Sequence, residues 1–134
     1  MKLAICSSMA FAKEMIQLKK NLEKLGHDII IQDDVEQHAN GEITEEDKWR
    51  KLEINPFKTY FEEIKKVDAI IVNNLEKRGI KNYVGPNTLI EMAFAQILDK
   101  KIFLLNPSPT EVSYYDEIEA MSPVILNGDL TLIE

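Results

Sequence analysis

Residues 85–95 read GPNTLIEMAFA, and Glu91 is the residue among them that could do chemistry. Gly-Pro suits the start of a helix, and the residues after it are almost wholly apolar. A carboxylate one turn into such a helix has two readings. In the first, it closes a capping box with Thr88, reaching back to the N-cap amide, aided by ~0.3–1 kcal/mol from the helix dipole. In the second, it lines a pocket at the helix N-terminus and does chemistry there. At ~100° per residue, Glu91 shares a face with Asn87, Thr88, Ala95 and Leu98. The remaining positions, Leu89, Ile90, Met92, Ala93, Phe94 and Ile97, are apolar. The pattern predicts a helix buried on most sides, with Glu91 on a face that is polar only in its first turn and small at Ala95. The same dipole that favours a cap would keep the carboxylate ionised, so the spacing leaves both readings open.

Other polar residues gain meaning from the elements that carry them. Residues 2–8, KLAICSS, form an apolar strand ending in Ser7 and Ser8. A helix comes next, with Phe11, Met15, Leu18, Leu22 and Leu25 on one face, and Gly26 stands where a C-cap glycine belongs. Residues 27–32 make the next strand, ending in Asp33 and Asp34. Strand, helix and strand within about thirty residues indicate a βαβ unit and a parallel sheet. Thr44 with the acidic residues after it predicts a helix start, and Trp49 within it reads as a packing or interface residue. Pro56 opens a further helix whose face is Phe57, Tyr60, Phe61 and Ile64. Residues 68–74 are the third strand, 75–84 a polar loop, 101–106 the fourth strand and 124–127 the last, preceded by a helix near 114–121.

Five short strands alternating with helices predict one domain over residues 1–134, an α/β flavodoxin-like fold with a parallel sheet ordered 2-1-3-4-5. Ligands in such folds sit at the carboxyl ends of the strands, near the switch in strand order. That rule collects Ser7, Ser8, Asp33, Asp34, Asn73, Asn74, the Gly85 helix start and Asn106. Asparagine and aspartate are also ordinary turn formers, so half of these are expected to be structural.

Composition narrows the classes. The charged fraction of 29% and apolar fraction of 45% are globular values. A net charge of −7 with scattered Lys and Arg argues against a nucleic-acid polymer as partner. No apolar run approaches the ~18 residues of a membrane span, and no export signal stands at the N-terminus. The single cysteine, Cys6, rules out an internal disulfide and suits a reducing cytoplasm. One Cys with His27 and His38 lacks zinc-ligand spacing, and no metal or organic cofactor is implied. Cys6 reads as a buried small hydrophobe, His27 as structural, and His38 as a solvated loop residue.

The succession Asp68-Ala-Ile-Ile-Val, then Gly85-x-x-Thr88-x-x-Glu91-Met-Ala-x-Ala95, then Lys101-Ile-Phe-Leu-Leu-Asn106 resembles the nucleoside 2-deoxyribosyltransferase family, which includes deoxynucleoside 5'-monophosphate N-glycosidases. The resemblance is specific over residues 68–106 and extends more weakly to the Ser7-Ser8 turn and to Leu25-Gly-His27. It implies that Glu91 is the nucleophile that takes the 2-deoxyribosyl group from its base, with a second base or water as acceptor. Ser7, Ser8, Asp33, Asn73, Gly85, Asn87 and Thr88 would hold the nucleoside or its 5'-phosphate. A homodimer or higher homo-oligomer is implied too, with Tyr114, Tyr115 and Asp116 near a neighbour's site, although their plainer reading is helix packing. The sequence departs from the family pattern at Tyr60, where an aspartate is usual, and at Ala93, where a glycine is usual. Tyr60 motivates an alternative, a non-catalytic nucleotide-binding or regulatory module. A flavodoxin-like electron carrier is a third reading, weakened by a first loop without the hydroxyls and glycine that cradle a flavin phosphate.

Overall fold

The computed structural model describes residues 1–42 and 55–134. The helix expected from Thr44, with Trp49, lies outside them. The described elements run β1 (Lys2–Cys6), a 3-10 turn (Met9–Phe11), α1 (Ala12–Lys24), β2 (Asp28–Ile30), α2 (Val35–Ala39), α3 (Pro56–Lys65), β3 (Ala69–Val72), α4 (Pro86–Ile97), β4 (Lys101–Leu104), α5 (Tyr115–Ala120), β5 (Val124–Ile125) and a last 3-10 turn (Leu130–Leu132). The five strands form one sheet in the order β2-β1-β3-β4-β5, every neighbouring pair parallel. This is the expected flavodoxin-like topology. The switch in strand order falls between β1 and β3, whose register pairs Cys6 with Val72.

The two-residue period of a strand divides the core. Leu3, Ile5, Ala69, Ile71 and Phe103 point into a cluster with Ala12, Met15, Leu18 and Leu22 of α1. Ala4, Cys6, Ile70, Val72, Ile102 and Leu104 point the other way, against Tyr60 and Ile64 of α3, Met92 and Ala95 of α4, and Ile118 of α5. Each large side chain buried in this way contributes about 1.5–3 kcal/mol. The end of α1 shows why Gly26 is needed. Its φ of 92° is left-handed, and Gly26 N–H donates to the Glu23 carbonyl while His27 N–H donates to that of Leu22, the paired bonds that close a helix C-terminus.

Two expectations are corrected. The strands are shorter than their apolar runs: β1 stops at Cys6 and β2 at Ile30, so Asp33 and Asp34 lie in the turn beyond β2 rather than on alternate faces of a strand. The helix α4 is not buried on most sides. Thr88, Glu91, Met92 and Ala95 are its buried residues, while Ile97 is 80% exposed and Ile90 39% exposed. The reason is geometric: α4 lies on the sheet along one stripe and meets α3 along a flank, where the Phe61 and Phe94 rings stack edge to face with centroids 5.1 Å apart. Among the described residues no helix is long and apolar enough to cross a membrane.

Candidate active site

The start of α4 removes the capping-box reading of Glu91. Gly85 is the N-cap, extended at φ −82° and ψ 174°, and Pro86 opens the first turn. The N-cap therefore lies three residues before Thr88, which puts Glu91 in the second turn and out of reach of a capping box. Glycine at 85 answers a close approach rather than a left-handed backbone: a Cβ there would lie 3.1 Å from the Tyr83 ring. Thr88 is likewise no cap. It stands one turn before Glu91 on the same inward face and is fully buried.

Glu91 is 3% exposed. Its Oε2 accepts a hydrogen bond of 3.1 Å from Nε2 of Gln32, two residues beyond the end of β2. Burial pushes its pKa up to about 8, and the Gln32 bond only partly opposes that. Burial thus opposes the ionisation that the helix dipole was expected to favour. A helix dipole is worth at most a kcal/mol or so at an exposed end, whereas desolvating a carboxylate shifts its titration by several pH units. Cys6 at the end of β1 and Tyr60 on α3 stand close enough for the Glu91 charge to act on both. Burial, first of all, holds both well above their usual ranges. The Tyr60 hydroxyl donates to the Ile5 carbonyl at 2.5 Å and lies 3.4 Å from that of Ile30, so it ties α3 to the sheet.

Around the switch point, Ser7 and Asn73 come together. The Ser7 hydroxyl donates to the Asn73 carbonyl at 3.1 Å, and the Asn73 amide lies 3.4 Å from Ser7 Oγ. Ser8 is a cap, its Oγ accepting from Ala10 N–H at 3.3 Å. The Lys77 ammonium donates to that same oxygen at 3.2 Å and lies 5.3 Å above the Tyr83 ring. Lys77 and Ile80 close a small antiparallel turn through Arg78 and Gly79, both left-handed, which turns the polar loop of residues 75–84 back over the first strand end.

The remaining strand-end residues divide as turn chemistry suggests. Asn74 and Asn106 clamp each other: the Asn74 amide donates to the Asn106 carbonyl at 2.9 Å, and the Asn106 amide returns the bond to the Asn74 carbonyl at 2.9 Å. They lock β3 to β4. Asp33 is exposed and Asn87 half-buried. Asp34 is paired with His38 at 3.4 Å across α2, so His38 is engaged with its own helix. Tyr114 donates to the Val84 carbonyl, a packing contact that braces the approach to Gly85. A shallow groove of about 390 Å³ opens beside the β2 edge, lined by Lys19, residues 29–33 and Glu36. Gln32 belongs to its lining, whereas Glu91 does not. No group of three or more His, Cys, Asp or Glu suited to a metal ion occurs among the described residues.

Gln32 is absent from the site residues expected from sequence, because it closes an apolar strand next to two more conspicuous aspartates. A polar residue ending a strand beside the switch point was the signal. Fold and site together define a parallel α/β domain in which, among the described residues, Glu91 is the buried carboxyl, near the carboxyl end of the sheet. The chain matches no protein-family model and no curated protein.

Proposed function

We propose that this domain cleaves or transfers the N-glycosidic bond of a 2-deoxynucleoside or its 5'-monophosphate through a glycosyl ester on Glu91. The observation that carries the reading is the placement of that carboxyl: buried beside the β1 and β2 ends, on the inward face of α4, and in no capping bond. Nothing in the packing of α4 requires an acid there. The residue pattern of 68–106, which resembles the nucleoside 2-deoxyribosyltransferases, supplies the substrate class.

In the first step an ionised Glu91 oxygen bonds to C1' of the sugar. The C1'–N bond breaks, its electron pair leaves with the base, and water protonates the base. In the second step a nitrogen of another base, or water, bonds to C1' and gives up its proton to solvent, while the ester C–O bond breaks and the carboxylate returns. Double displacement of this kind parallels retaining glycosidases. Ser7, Ser8 and Asn73 at the strand ends, with Gly85, Asn87 and Thr88 at the start of α4 and Asp33 at the mouth, would hold sugar, phosphate or base. The reading includes a cytoplasmic protein acting as a homodimer or higher homo-oligomer on a small-molecule substrate.

One observation favours a second reading. The Tyr60 hydroxyl is spent on backbone carbonyls, which leaves no acid at that place to handle a base and suits a nucleotide-binding module without turnover. Chromatographic assay of base release separates the two, with deoxynucleosides and their 5'-monophosphates offered with and without an acceptor base. Release that disappears in Glu91→Gln supports the catalytic reading, and dependence on the acceptor distinguishes transfer from hydrolysis. Absence of turnover on the whole panel would sink it, and retained nucleotide binding would then support the module.

A further inference from the structure

We propose that Gln32 is the positioning residue of this site, its amide holding Oε2 of Glu91 so that Oε1 is the oxygen that attacks. The proposal rests on the catalytic reading of Glu91 and names the group that prepares it. The contact joins residues 59 apart in sequence, at 3.1 Å, so it is made by the fold and not by local helix chemistry. It is the hydrogen bond that the Glu91 carboxyl receives among the described residues.

A glutamate carboxyl turns broadly about its last torsion. One donor fixed to Oε2 selects which oxygen is free. The bond also has a direction in the chemistry. An amide donating to a carboxylate makes a hydrogen bond roughly twice as strong as one to a neutral acceptor. When Oε1 becomes the ester oxygen, Oε2 becomes a neutral carbonyl and the Gln32 bond weakens. Gln32 therefore favours the free carboxylate, both before attack and as the group that leaves when the sugar moves on.

The surroundings make Gln32 the residue that can be changed without disturbing other charges. Facing the same carboxyl are Cys6 from β1 and Tyr60 from α3, both kept neutral by burial, with Glu63 acting further out on Tyr60. On that side β3 and β4 contribute Ile70, Val72, Ile102 and Leu104. Gln32 itself is half-buried and borders the groove along β2, so its end group can be altered with little loss of core.

The test is Gln32→Met, which keeps the length and deletes the donor, with Gln32→Asn as a second variant whose donor is drawn back by one methylene. The infrared carbonyl band of the protonated Glu91 carboxyl, identified by its absence from Glu91→Gln, is titrated in each protein. Loss of a charge-assisted bond moves the midpoint up by about 1–2 pH units. The acid limb of the base-release profile moves by the same interval, and kcat falls more than KM changes. A midpoint unmoved in both folded variants overturns the proposal. Native protein that turns over nothing defeats the catalytic reading instead, and a moved midpoint in that case still supports Gln32 as the partner of Glu91.

Discussion

Beneath α1 the sheet meets Ala12, Met15, Leu18 and Leu22 in an apolar cluster. Beneath α4 the same sheet meets Thr88 and Glu91 beside Met92 and Ala95, with Cys6 and Tyr60 close by. The two faces have similar strands and similar helices, so the difference does not come from architecture. Apolar side chains alone make the packing of α1 on the strands beneath it. A buried carboxylate costs free energy unless it is fully paired, and a single amide does not pair it fully. The α4 face thus carries a local cost that the α1 face avoids, and such costs gather where a protein works on a ligand.

Replacing Glu91 breaks that comparison most severely. With Glu91 as nucleophile, Glu91→Gln should lower base release by about 10³-fold or more, with little loss of folded protein. The pH dependence is equally specific. A nucleophile must be ionised, so kcat/KM should climb with pH until it levels near the Glu91 value of about 8. A rate that falls above that pH would mean that Glu91 acts as a proton donor.

Stability should show the same carboxyl without any substrate. The folded pKa of about 8 lies above the unfolded 4.5, so the folded state holds the proton more tightly. The stabilisation linked to that proton is fully present below pH 4.5 and is lost as pH rises through 8. The difference across the window is on the order of 4 kcal/mol. Denaturant unfolding at pH 5 and pH 8.5 measures it, and Glu91→Gln should flatten that part of the profile. Equal slopes in both proteins would show that Glu91 titrates normally and that the faces do not differ as argued.

On the α1 face the expected effect has no pH signature. Leu22 is fully buried, and Leu22→Ala should cost about 2–5 kcal/mol from lost transfer and the cavity left behind. Base release per folded molecule should stay unchanged, since Leu22 lies across the sheet from Glu91. A large drop in specific activity would mean that the two faces are coupled.

Legibility in the sequence divides along the same line. Strand order, the Gly26 cap and the Pro56 helix start are set by local spacing and turn chemistry, and the fold repeats them. The surroundings of Glu91 were only half legible. The helical wheel grouped it with Thr88 and Ala95, but which stripe is covered depends on where α3 and the sheet lie, and that left Ile90 and Ile97 outside. The capping box fitted the interval between Thr88 and Glu91, yet Gly85-Pro86 starts the helix earlier. The Gln32 contact and the Asn74–Asn106 clamp span 59 and 32 residues, distances at which residue type alone says nothing about pairing.

The smallest expected effect concerns Tyr60, where the two readings of function diverge. Its ring is part of the α4-side core, and its hydroxyl donates to the Ile5 carbonyl and lies near that of Ile30, at the strands that carry the site. Tyr60→Phe keeps the ring and removes the donor, so unfolding should become easier by about 1 kcal/mol. If the hydroxyl serves only to tie α3 to the sheet, base release should persist and the Glu91 titration should barely move, because a neutral phenol bonded elsewhere contributes little to its field. Activity lost at unchanged stability would give Tyr60 a part in handling the substrate. Its hydroxyl would then serve both the packing of α3 and the site on the same side of the sheet.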